Sequence, residues 1–258
     1  MTNVLYREYL AEEKLPTIWC PGCGNGTVLR ALLQAFAALK LDPRKTVAVS
    51  GIGCWGWADD YLRVNAFHGT HGRALAFATG IALANPDLTV IALMGDGDGA
   101  TIGGNHLIHA ARRNVNVTAL VANNFNYGMT GGQYSGTTPT DSITATSFLG
   151  HMEEGFDLCA LAAAAGAPYV ARGTVAEPGK LAALIEGGLA RRGFSFVEAL
   201  SPCPTHFGRF NGAKTPWEML EELKSTPLPL GILTDREKED YGTRYARTAE
   251  REREEGSS

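Results

Sequence analysis

Two polar groups in the middle of the chain have residue types that bind a divalent cation. The first is Gly95-Asp96-Gly97-Asp98-Gly99, which follows an apolar run at 88–94 and precedes a helical pattern from Thr101 to Arg113. The second is Asn123-Asn124, which ends another apolar run, Val115 to Ala122. The segment predicts a strand, a helix and a second strand, with polar residues at the carboxyl ends of both strands. In open α/β sheets, that edge is where ligands bind.

The charges of this segment indicate how it would bind a phosphate group. A glycine turn before a helix presents backbone N–H groups and the positive end of the helix dipole. Asp96 and Asp98 would repel a diphosphate unless a hard cation lies between them, and Mg²⁺ commonly joins carboxylates to phosphates. The asparagine pair supplies neutral oxygen ligands. An EF-hand loop starting at Asp96 is excluded, because the positions it requires for ligands and turn hold Ala100, Thr101 and Leu107.

Four of the five cysteines lie in predicted loops and form a second candidate site. Cys20 and Cys23 form a C-x-x-C pair directly before a predicted helix, Cys54 follows the first predicted strand, and Cys203 follows the last. If these strands are parallel, their loops emerge at one sheet edge and the four thiolates converge near the diphosphate site. The C-x-x-C pair alone fits a thioredoxin-like redox pair, half of a Zn site or half of an iron–sulfur site. Cys159 lies in an apolar helix and is predicted to be a core residue.

The order of these motifs resembles that of the thiamine-diphosphate enzymes. Their signature is G-D-G followed by N-N, and here the 25 residues from Asp98 to Ala122 separate Gly95-Asp96-Gly97 from Asn123-Asn124. The segment Tyr127-Gly128-Met129-Thr130-Gly131-Gly132-Gln133 narrows the resemblance to the β-subunits of 2-oxoacid:ferredoxin oxidoreductases. The resemblance covers roughly Leu15 to Lys224, and the form of residues 18–24, IWCPGCG, looks most like the 2-oxoglutarate enzymes.

This resemblance implies three cofactors and a set of residues for each. It implies Mg²⁺ bound by the Asp96 carboxylate, the Asn124 side chain and the main-chain carbonyl of Asn126. It also implies a [4Fe-4S] cluster bound by Cys20, Cys23, Cys54 and Cys203. Thiamine diphosphate is then expected beside Ile52, Gly53, Cys54, Trp55, Gly69, Thr70, His71, Gly72, Gly95, Gly97, Asp98, Gly128 and Met129. His71 is also a candidate for proton transfer, with a loop or helix-capping histidine as the alternative.

The reaction implied by the resemblance is the reversible, coenzyme A-dependent oxidative decarboxylation of a 2-oxoacid, with electrons passed to ferredoxin. We expect 2-oxoglutarate as the substrate, with pyruvate or a branched-chain 2-oxoacid as alternatives. Zn²⁺ has no redox chemistry to offer such a reaction. Thiamine-diphosphate enzymes hold the cofactor between two domains, and only the diphosphate-type domain is present here. We therefore expect a separate α-subunit, in an αβ or (αβ)₂ enzyme, and an isolated chain without activity.

Two other classes of protein remain open from the sequence. A non-redox thiamine-diphosphate decarboxylase or synthase would keep Asp96 and Asn124 but would not need four placed cysteines. A Zn-stabilised binding module would keep the cysteines but has no use for G-D-G with N-N. The segment Gly51 to Gly56 has the form G-x-G-x-x-G, but the acidic residue that dinucleotide binding requires about 20 residues further on is missing.

The remaining sequence predicts an α/β fold. We expect a single domain over residues 1–233, with a mainly parallel sheet flanked by helices, followed by a charged C-terminal tail over residues 234–258. A net charge of −4 without a basic run argues against nucleic-acid binding. The first 20 residues lack the apolar core of a signal peptide, and no apolar run approaches the ~18 residues that span a bilayer. We therefore expect no membrane partner and a cytoplasmic location, where the cysteines stay reduced.

Overall fold

A seven-stranded sheet forms the centre of the chain, which a computed structural model describes over residues 7–212 and 215–255. In chain order the strands are β1 (Thr46–Ser50), β2 (Asn65–His68), β3 (Thr89–Gly95), β4 (Thr118–Asn123), β5 (Asn126–Tyr127), β6 (Gln133–Tyr134), β7 (Tyr169–Thr174), β8 (Ser195–Leu200) and β9 (Gly231–Asp235). The sheet has the order β2-β1-β3-β4-β8-β7-β9, and β5 and β6 form a separate antiparallel pair. All neighbours in the large sheet are parallel except β9, which runs antiparallel to β7.

Helices cover both faces of this sheet. They are α1 (Asn25–Leu39), α2 (Ala74–Ala84), α3 (Gly104–Arg113), α4 (Leu158–Ala164), α5 (Pro178–Leu189), α6 (Pro216–Lys224) and α7 (Tyr241–Glu255). Residues of α1 and α5, such as Leu32 and Ile185, belong to the buried apolar cluster on one face. Residues of α2, α3 and α4, such as Leu75 and Leu107, belong to the cluster on the other. This arrangement confirms the predicted α/β fold with a mainly parallel sheet between helices.

The local sequence explains the elements that position the site. The central strands β1, β4 and β8 are buried along their whole length, which is typical of parallel strands covered on both faces. Helix α2 ends at Ala84 because the next residue, Asn85, precedes Pro86, and a residue before proline is pushed out of the helical conformation. α1 ends where Lys40 adopts a left-handed conformation with φ +50°.

Three features differ from the pattern predicted by the sequence. The edge strands β2 and β9 were not expected, and β9 crosses position 234, where the boundary of the charged tail is predicted. The glycine segment after Asp96 is not an open turn but a π-helix over Gly97–Ile102, which continues toward α3. Such π-helical turns are common at functional sites. Across 7–212 and 215–255, no helix has both the length and the apolar character required to cross a membrane.

Candidate active site

The carboxyl ends of four neighbouring strands bring the predicted site residues to one edge of the sheet. Asp96 follows β3, and Asn124 follows the adjacent strand β4. Cys54 lies in the loop after β1, and Cys203 lies in the loop after β8. Because β1, β3, β4 and β8 are consecutive parallel neighbours, these loops all emerge on the same side.

The Asp96 side chain is buried at the centre of this edge. Its Oδ2 atom accepts hydrogen bonds from the hydroxyl groups of Ser135 (2.5 Å) and Thr137 (2.6 Å). Burial raises the pKa of this carboxyl even though the two hydroxyl donors act in the opposite direction. A buried carboxylate of this kind gains most from a cation that compensates its charge.

The Asn124 amide gives a direct test of whether these residues fit a cation. One of its two amide heteroatoms lies 3.2 Å from Asp96 Oδ1 and 2.7 Å from the carbonyl oxygen of Asn126. With nitrogen in that place, the amide donates to both oxygens; with oxygen there, three oxygens converge and need a cation between them. Octahedral Mg²⁺ with ligands at ~2.0–2.1 Å would space adjacent ligands about 2.9 Å apart. The two observed distances bracket that spacing, so the donor set fits Mg²⁺.

The turn from Asn123 to Asn126 holds these donors in place. Asn123 Oδ1 accepts a hydrogen bond from the Phe125 N–H at 3.0 Å. Phe125 has φ +64°, in the left-handed region that bulky residues rarely adopt. A second bond, from Asn126 Nδ2 to the Asn124 carbonyl at 2.8 Å, closes the turn. The Asn123 side chain therefore stabilises a backbone conformation that costs free energy.

The Asp98 carboxylate ties two further loops to the π-helix. Its Oδ1 atom accepts hydrogen bonds from the Gly72 N–H (2.6 Å) and the Ile52 N–H (3.3 Å), and it lies 2.6 Å from His71 Nδ1. Its Oδ2 atom is buried and has no hydrogen-bond partner within the described residues. Asp98 thus fixes the loop after β1 and the loop before α2 relative to each other.

A pocket opens beside Asp96 and collects most of the predicted cofactor residues. Its lining includes Ile52, Gly53, Cys54, Trp55, His71, Gly95, Asp96, Gly97, Asp98, Asn124, Asn126, Gly128 and Met129. The loop residues Gly69, Thr70 and Gly72 are close in sequence to His71 but do not line this pocket. The Gly69 N–H instead bonds the Ser50 carbonyl (2.9 Å), and Gly72 reaches the site through Asp98.

The four predicted ligand cysteines gather next to this pocket. The pKa of Cys23 is raised to about 11 and that of Cys54 to about 12, mainly by burial and to a smaller extent by the neighbouring thiols. Burial also raises the pKa of Cys203, whereas Cys20 is exposed. A Cβ atom built on Gly128 would lie 3.6 Å from the Sγ atoms of both Cys54 and Cys203, so the backbone of Gly128, which lines the pocket, is next to two of the thiols.

The four thiols do not by themselves define a metal site. In the two described stretches, no three His, Cys, Asp or Glu side chains form a group that could hold a metal ion. The fifth cysteine, Cys159, is separate: it is buried in α4, with Sγ 3.4 Å from Glu198 Oε2.

Several residues at this site were not predicted. Ser135 and Thr137 hold Asp96, and the Tyr127 hydroxyl donates to the Gly97 carbonyl at 3.3 Å. The signal available in the sequence is the polar composition of residues 131–150, which does not indicate which hydroxyl reaches the carboxylate. Glu198 also bonds Asn123, and a single acidic residue in an apolar strand gave no indication of this contact.

A comparison with known protein families defines the class of protein to which this chain belongs. Residues 51–199 match the family model described as thiamine pyrophosphate enzyme, C-terminal TPP binding domain. The fold and the site are therefore those of a thiamine-diphosphate-binding domain.

More similar relatives narrow the class to one family. The chain is 46% identical over 233 residues to 2-oxoglutarate synthase subunit KorB of Methanocaldococcus jannaschii, covering 90% of this chain and 86% of that protein. It is 53% identical over 201 residues to the subunit of that name from Archaeoglobus fulgidus, covering 78% and 75%. A solved structure of 2-oxoglutarate:ferredoxin oxidoreductase from Magnetococcus marinus, with 2-oxoglutarate, coenzyme A and succinyl-CoA bound, has a TM-score of 0.87 at 34% identity, covering 97% of this chain and 91% of that chain. The chain belongs to the thiamine-diphosphate-binding β-subunits of the 2-oxoacid:ferredoxin oxidoreductases, which confirms the resemblance found in the sequence.

Proposed function

We propose that this β-subunit serves an enzyme that oxidatively decarboxylates 2-oxoglutarate. In the balanced reaction, the 2-oxoacid, coenzyme A and two oxidised ferredoxins give an acyl-CoA, CO₂, two reduced ferredoxins and a proton. The observation that carries the proposal is the meeting of a cation site and a group of four thiols at one sheet edge, with Cys54 belonging to both. The choice of 2-oxoglutarate is supported by the names of the relatives.

We propose that Asp96, Asn124 and the carbonyl of Asn126 would hold Mg²⁺, which would offset the charge of the diphosphate of the cofactor. The pocket residues Gly95, Gly97, Gly128 and Met129 leave room beside them. Bound thiamine diphosphate would supply the carbon nucleophile and the electron sink for cleaving the bond next to the 2-oxo group. The protein would contribute position, with backbone N–H groups of the π-helix after Asp96 available to the diphosphate.

His71 is proposed as the group that moves a proton at the pocket. Its Nδ1 atom is engaged by the buried Asp98 carboxylate, which fixes the orientation of the ring. Nε2 is then the ring nitrogen free to exchange a proton. The same contact also allows a purely structural role, in which His71 only holds its loop in place. Replacement of His71 by Gln distinguishes the two roles, because only the loss of a proton-transfer group is expected to change the pH profile of turnover.

The four thiols of Cys20, Cys23, Cys54 and Cys203 are the proposed ligands of a [4Fe-4S] cluster. The raised pKa values of Cys23, Cys54 and Cys203 apply to the metal-free thiols, and iron would reverse that preference because a coordinated thiol is deprotonated. The cluster supplies a one-electron carrier beside the pocket. Cys54 lines the pocket, and the Gly128 backbone lies beside Cys54 and Cys203, so a cluster on these thiols would be close to a cofactor bound in the pocket.

Two protein partners follow from this proposal. A separate α-subunit would complete the cofactor site, and its need is supported by the names of the relatives, which are subunits. Ferredoxin would accept electrons on the side of the exposed Cys20, where a cluster comes closest to solvent. Coenzyme A and the 2-oxoacid would enter from the open side of the pocket. We expect the chain without the α-subunit to be inactive.

Two kinds of variant, each expected to lose a different cofactor, test the proposal. After anaerobic purification, Asp96→Ala is expected to lose thiamine diphosphate and keep iron, because the cation site is removed and the thiols are untouched. Cys54→Ser is expected to lose most of its iron, whereas the matched variant Cys159→Ser, changed at the cysteine in α4, keeps it. Thiamine diphosphate retained by Asp96→Ala contradicts the Mg²⁺ assignment. Zinc, or equal iron in the two cysteine variants, contradicts the cluster assignment.

A further inference from the structure

A buried ion pair lies behind the cation-binding turn. Glu198 on β8 and Arg172 on β7 are register partners in the sheet, and each side chain is only 1% exposed. Arg172 Nε donates to Glu198 Oε2 over 2.6 Å, and the other guanidinium nitrogens donate to Asp157 and to the carbonyl of Pro229. Neither residue of the pair lines the pocket. Burying such a pair is costly and adds little stability over apolar side chains, so it calls for another reason.

The other oxygen of Glu198 points toward the turn. Glu198 Oε1 accepts a hydrogen bond from Asn123 Nδ2 over 2.7 Å, and both side chains are buried. Both oxygens of Glu198 act as acceptors, Oε2 for Arg172 and Oε1 for Asn123. Asn123 therefore has to present its NH₂ group to Glu198 and its carbonyl oxygen to the opposite side. The Glu198 carboxylate therefore determines the orientation of the Asn123 amide.

The opposite side of Asn123 is where the turn needs an acceptor. Asn123 Oδ1 accepts from the Phe125 N–H at 3.0 Å and lies 3.1 Å from the Thr137 hydroxyl, which donates to Asp96. The bond to Phe125 holds that residue at φ +64°. If the amide turned round, its NH₂ group would face the Phe125 N–H, two donors would oppose each other, and the left-handed conformation would lose its support.

We propose that Glu198 is a positioning residue for the cation site: it holds the Asn123 amide in the one orientation that fixes the turn carrying Asn124 and Asn126. This inference rests on the proposed function, because it takes that turn to bind Mg²⁺. In this proposal the buried ion pair helps to set the geometry of the cation site. Arg172 pairs with Glu198, Glu198 orients Asn123, and Asn123 sets the backbone of Phe125. Glu198 itself does not line the pocket.

The test is the Mg²⁺ concentration at which thiamine diphosphate binds half-maximally. The full chain is purified in the complex in which it occurs, stripped of cofactor with a chelator, and titrated with Mg²⁺ at fixed thiamine diphosphate. Glu198→Gln replaces one acceptor by an NH₂ group, so the new amide side chain cannot accept from both Arg172 and Asn123. We expect the midpoint to rise about tenfold, as for the loss of one buried hydrogen bond. Asp157→Asn is the matched control, because Asp157 contacts the same guanidinium and an asparagine can still cap α4. We expect its midpoint to stay within about twofold of the wild-type value.

A double-mutant cycle tests the route through Asn123. Asn123→Ala removes the acceptor for Phe125 and is expected to raise the midpoint by at least as much. If Glu198 acts through Asn123, the double variant is no worse than Asn123→Ala alone. If Glu198→Gln does not fold, Glu198→Leu combined with Arg172→Met removes the buried charges together and still leaves Asn123 without an acceptor, so the midpoint is expected to rise in that variant too.

Three results would overturn the inference. They are an unchanged midpoint in Glu198→Gln or in the apolar double replacement, an equal rise in Asp157→Asn, and fully additive effects of Glu198→Gln and Asn123→Ala. In each of these cases wild-type protein still binds thiamine diphosphate in a Mg²⁺-dependent way, so the proposed function stands and only the role of Glu198 fails. Binding that does not depend on Mg²⁺ in the wild type would refute the proposed function, and this inference with it.

Discussion

Replacement of Asp98 should separate the pocket loops from the π-helix. In Asp98→Ala the acceptor for the Gly72 N–H, the Ile52 N–H and His71 Nδ1 disappears. Gly72 is buried, so its N–H is left without a partner at a cost of ~1–3 kcal/mol. Ile52 and His71 are partly exposed, so water replaces their bonds and each loss costs about 0.5–1 kcal/mol.

These contributions add to a loss of about 2–5 kcal/mol in the free energy of unfolding. For a chain of this size, 1 kcal/mol shifts the midpoint of thermal unfolding by about 2–4 °C. Asp98→Ala is therefore expected to unfold roughly 4–20 °C below the wild type. Asp98→Asn is the matched control, because Oδ1 stays in place and the new NH₂ group replaces Oδ2, which has no partner among the described residues. We expect a loss of about 1 kcal/mol or less for Asn.

Thermal unfolding followed by circular dichroism, with thiamine diphosphate absent, measures both variants. The reasoning would be refuted if Asp98→Ala and Asp98→Asn unfolded at the same temperature, because the three donors would then not depend on this acceptor. A second readout is the affinity for thiamine diphosphate with Mg²⁺ present. It should fall in Asp98→Ala, whose loops after β1 and before α2 are released, and change little in Asp98→Asn.

Further predictions concern the carboxylate and glycines of the site. Burial raises the pKa of Asp96 above its ordinary value of 3.8, so the stability contributed by its proton is present below pH 3.8 and is lost as the pH rises through the raised pKa. In metal-free buffer, the unfolding temperature of the wild type should therefore fall more steeply above pH ~4 than that of Asp96→Asn, and equal slopes would contradict this. A Cβ at Gly97 would overlap the Tyr127 ring, so Gly97→Ala should weaken thiamine diphosphate binding; unchanged affinity in a binding titration would show that the ring can move freely. Gly80 lies in α2 with no atom near its Cβ direction, so Gly80→Ala is expected to stabilise the chain by about 0.5–1 kcal/mol in denaturant unfolding without changing that affinity, and destabilisation would contradict the packing described.

Elements with a strong local signal were predicted closely. The apolar runs at 88–94 and 115–122 were expected to form strands, and the structure has β3 at Thr89–Gly95 and β4 at Thr118–Asn123. In both cases an apolar run of the right length is bounded by residues that end an element. The carboxyl ends of β3 and β4 followed from the same reasoning, so the meeting of Asp96 and Asn124 was also predictable.

Features that depend on tertiary contacts were not predictable. β2 and β9 lie at the two edges of the sheet, and their residues are largely exposed, so they lack the apolar pattern of the central strands. The contact between Arg172 and Glu198 depends on β7 and β8 being adjacent and in register. Each of the two sequences shows only one charge within an apolar strand, which does not indicate a partner.

The same limit applies to the site. Ser135 and Thr137 reach Asp96 through the path of a long loop, and the sequence fixes neither that path nor which hydroxyl makes the contact. The left-handed conformation of Phe125 could not be predicted from the sequence either, because bulky residues seldom adopt it. Glycines and asparagines mark such turns in a sequence, whereas here the flanking Asn123 supports the turn from its side chain.

The central claim is that this chain carries a one-electron centre beside its thiamine-diphosphate site. The most direct measurement is the absorption spectrum, with iron and acid-labile sulfide content, of the enzyme complex purified without oxygen, recorded before and after addition of 2-oxoglutarate and coenzyme A. We predict about four iron and four sulfide per chain beyond those of any partner, and a broad visible band that bleaches on addition of the substrates. Loss of that signal in the complex containing Cys54→Ser would assign it to this chain. A colourless complex, or a band that the substrates do not bleach, would contradict the account.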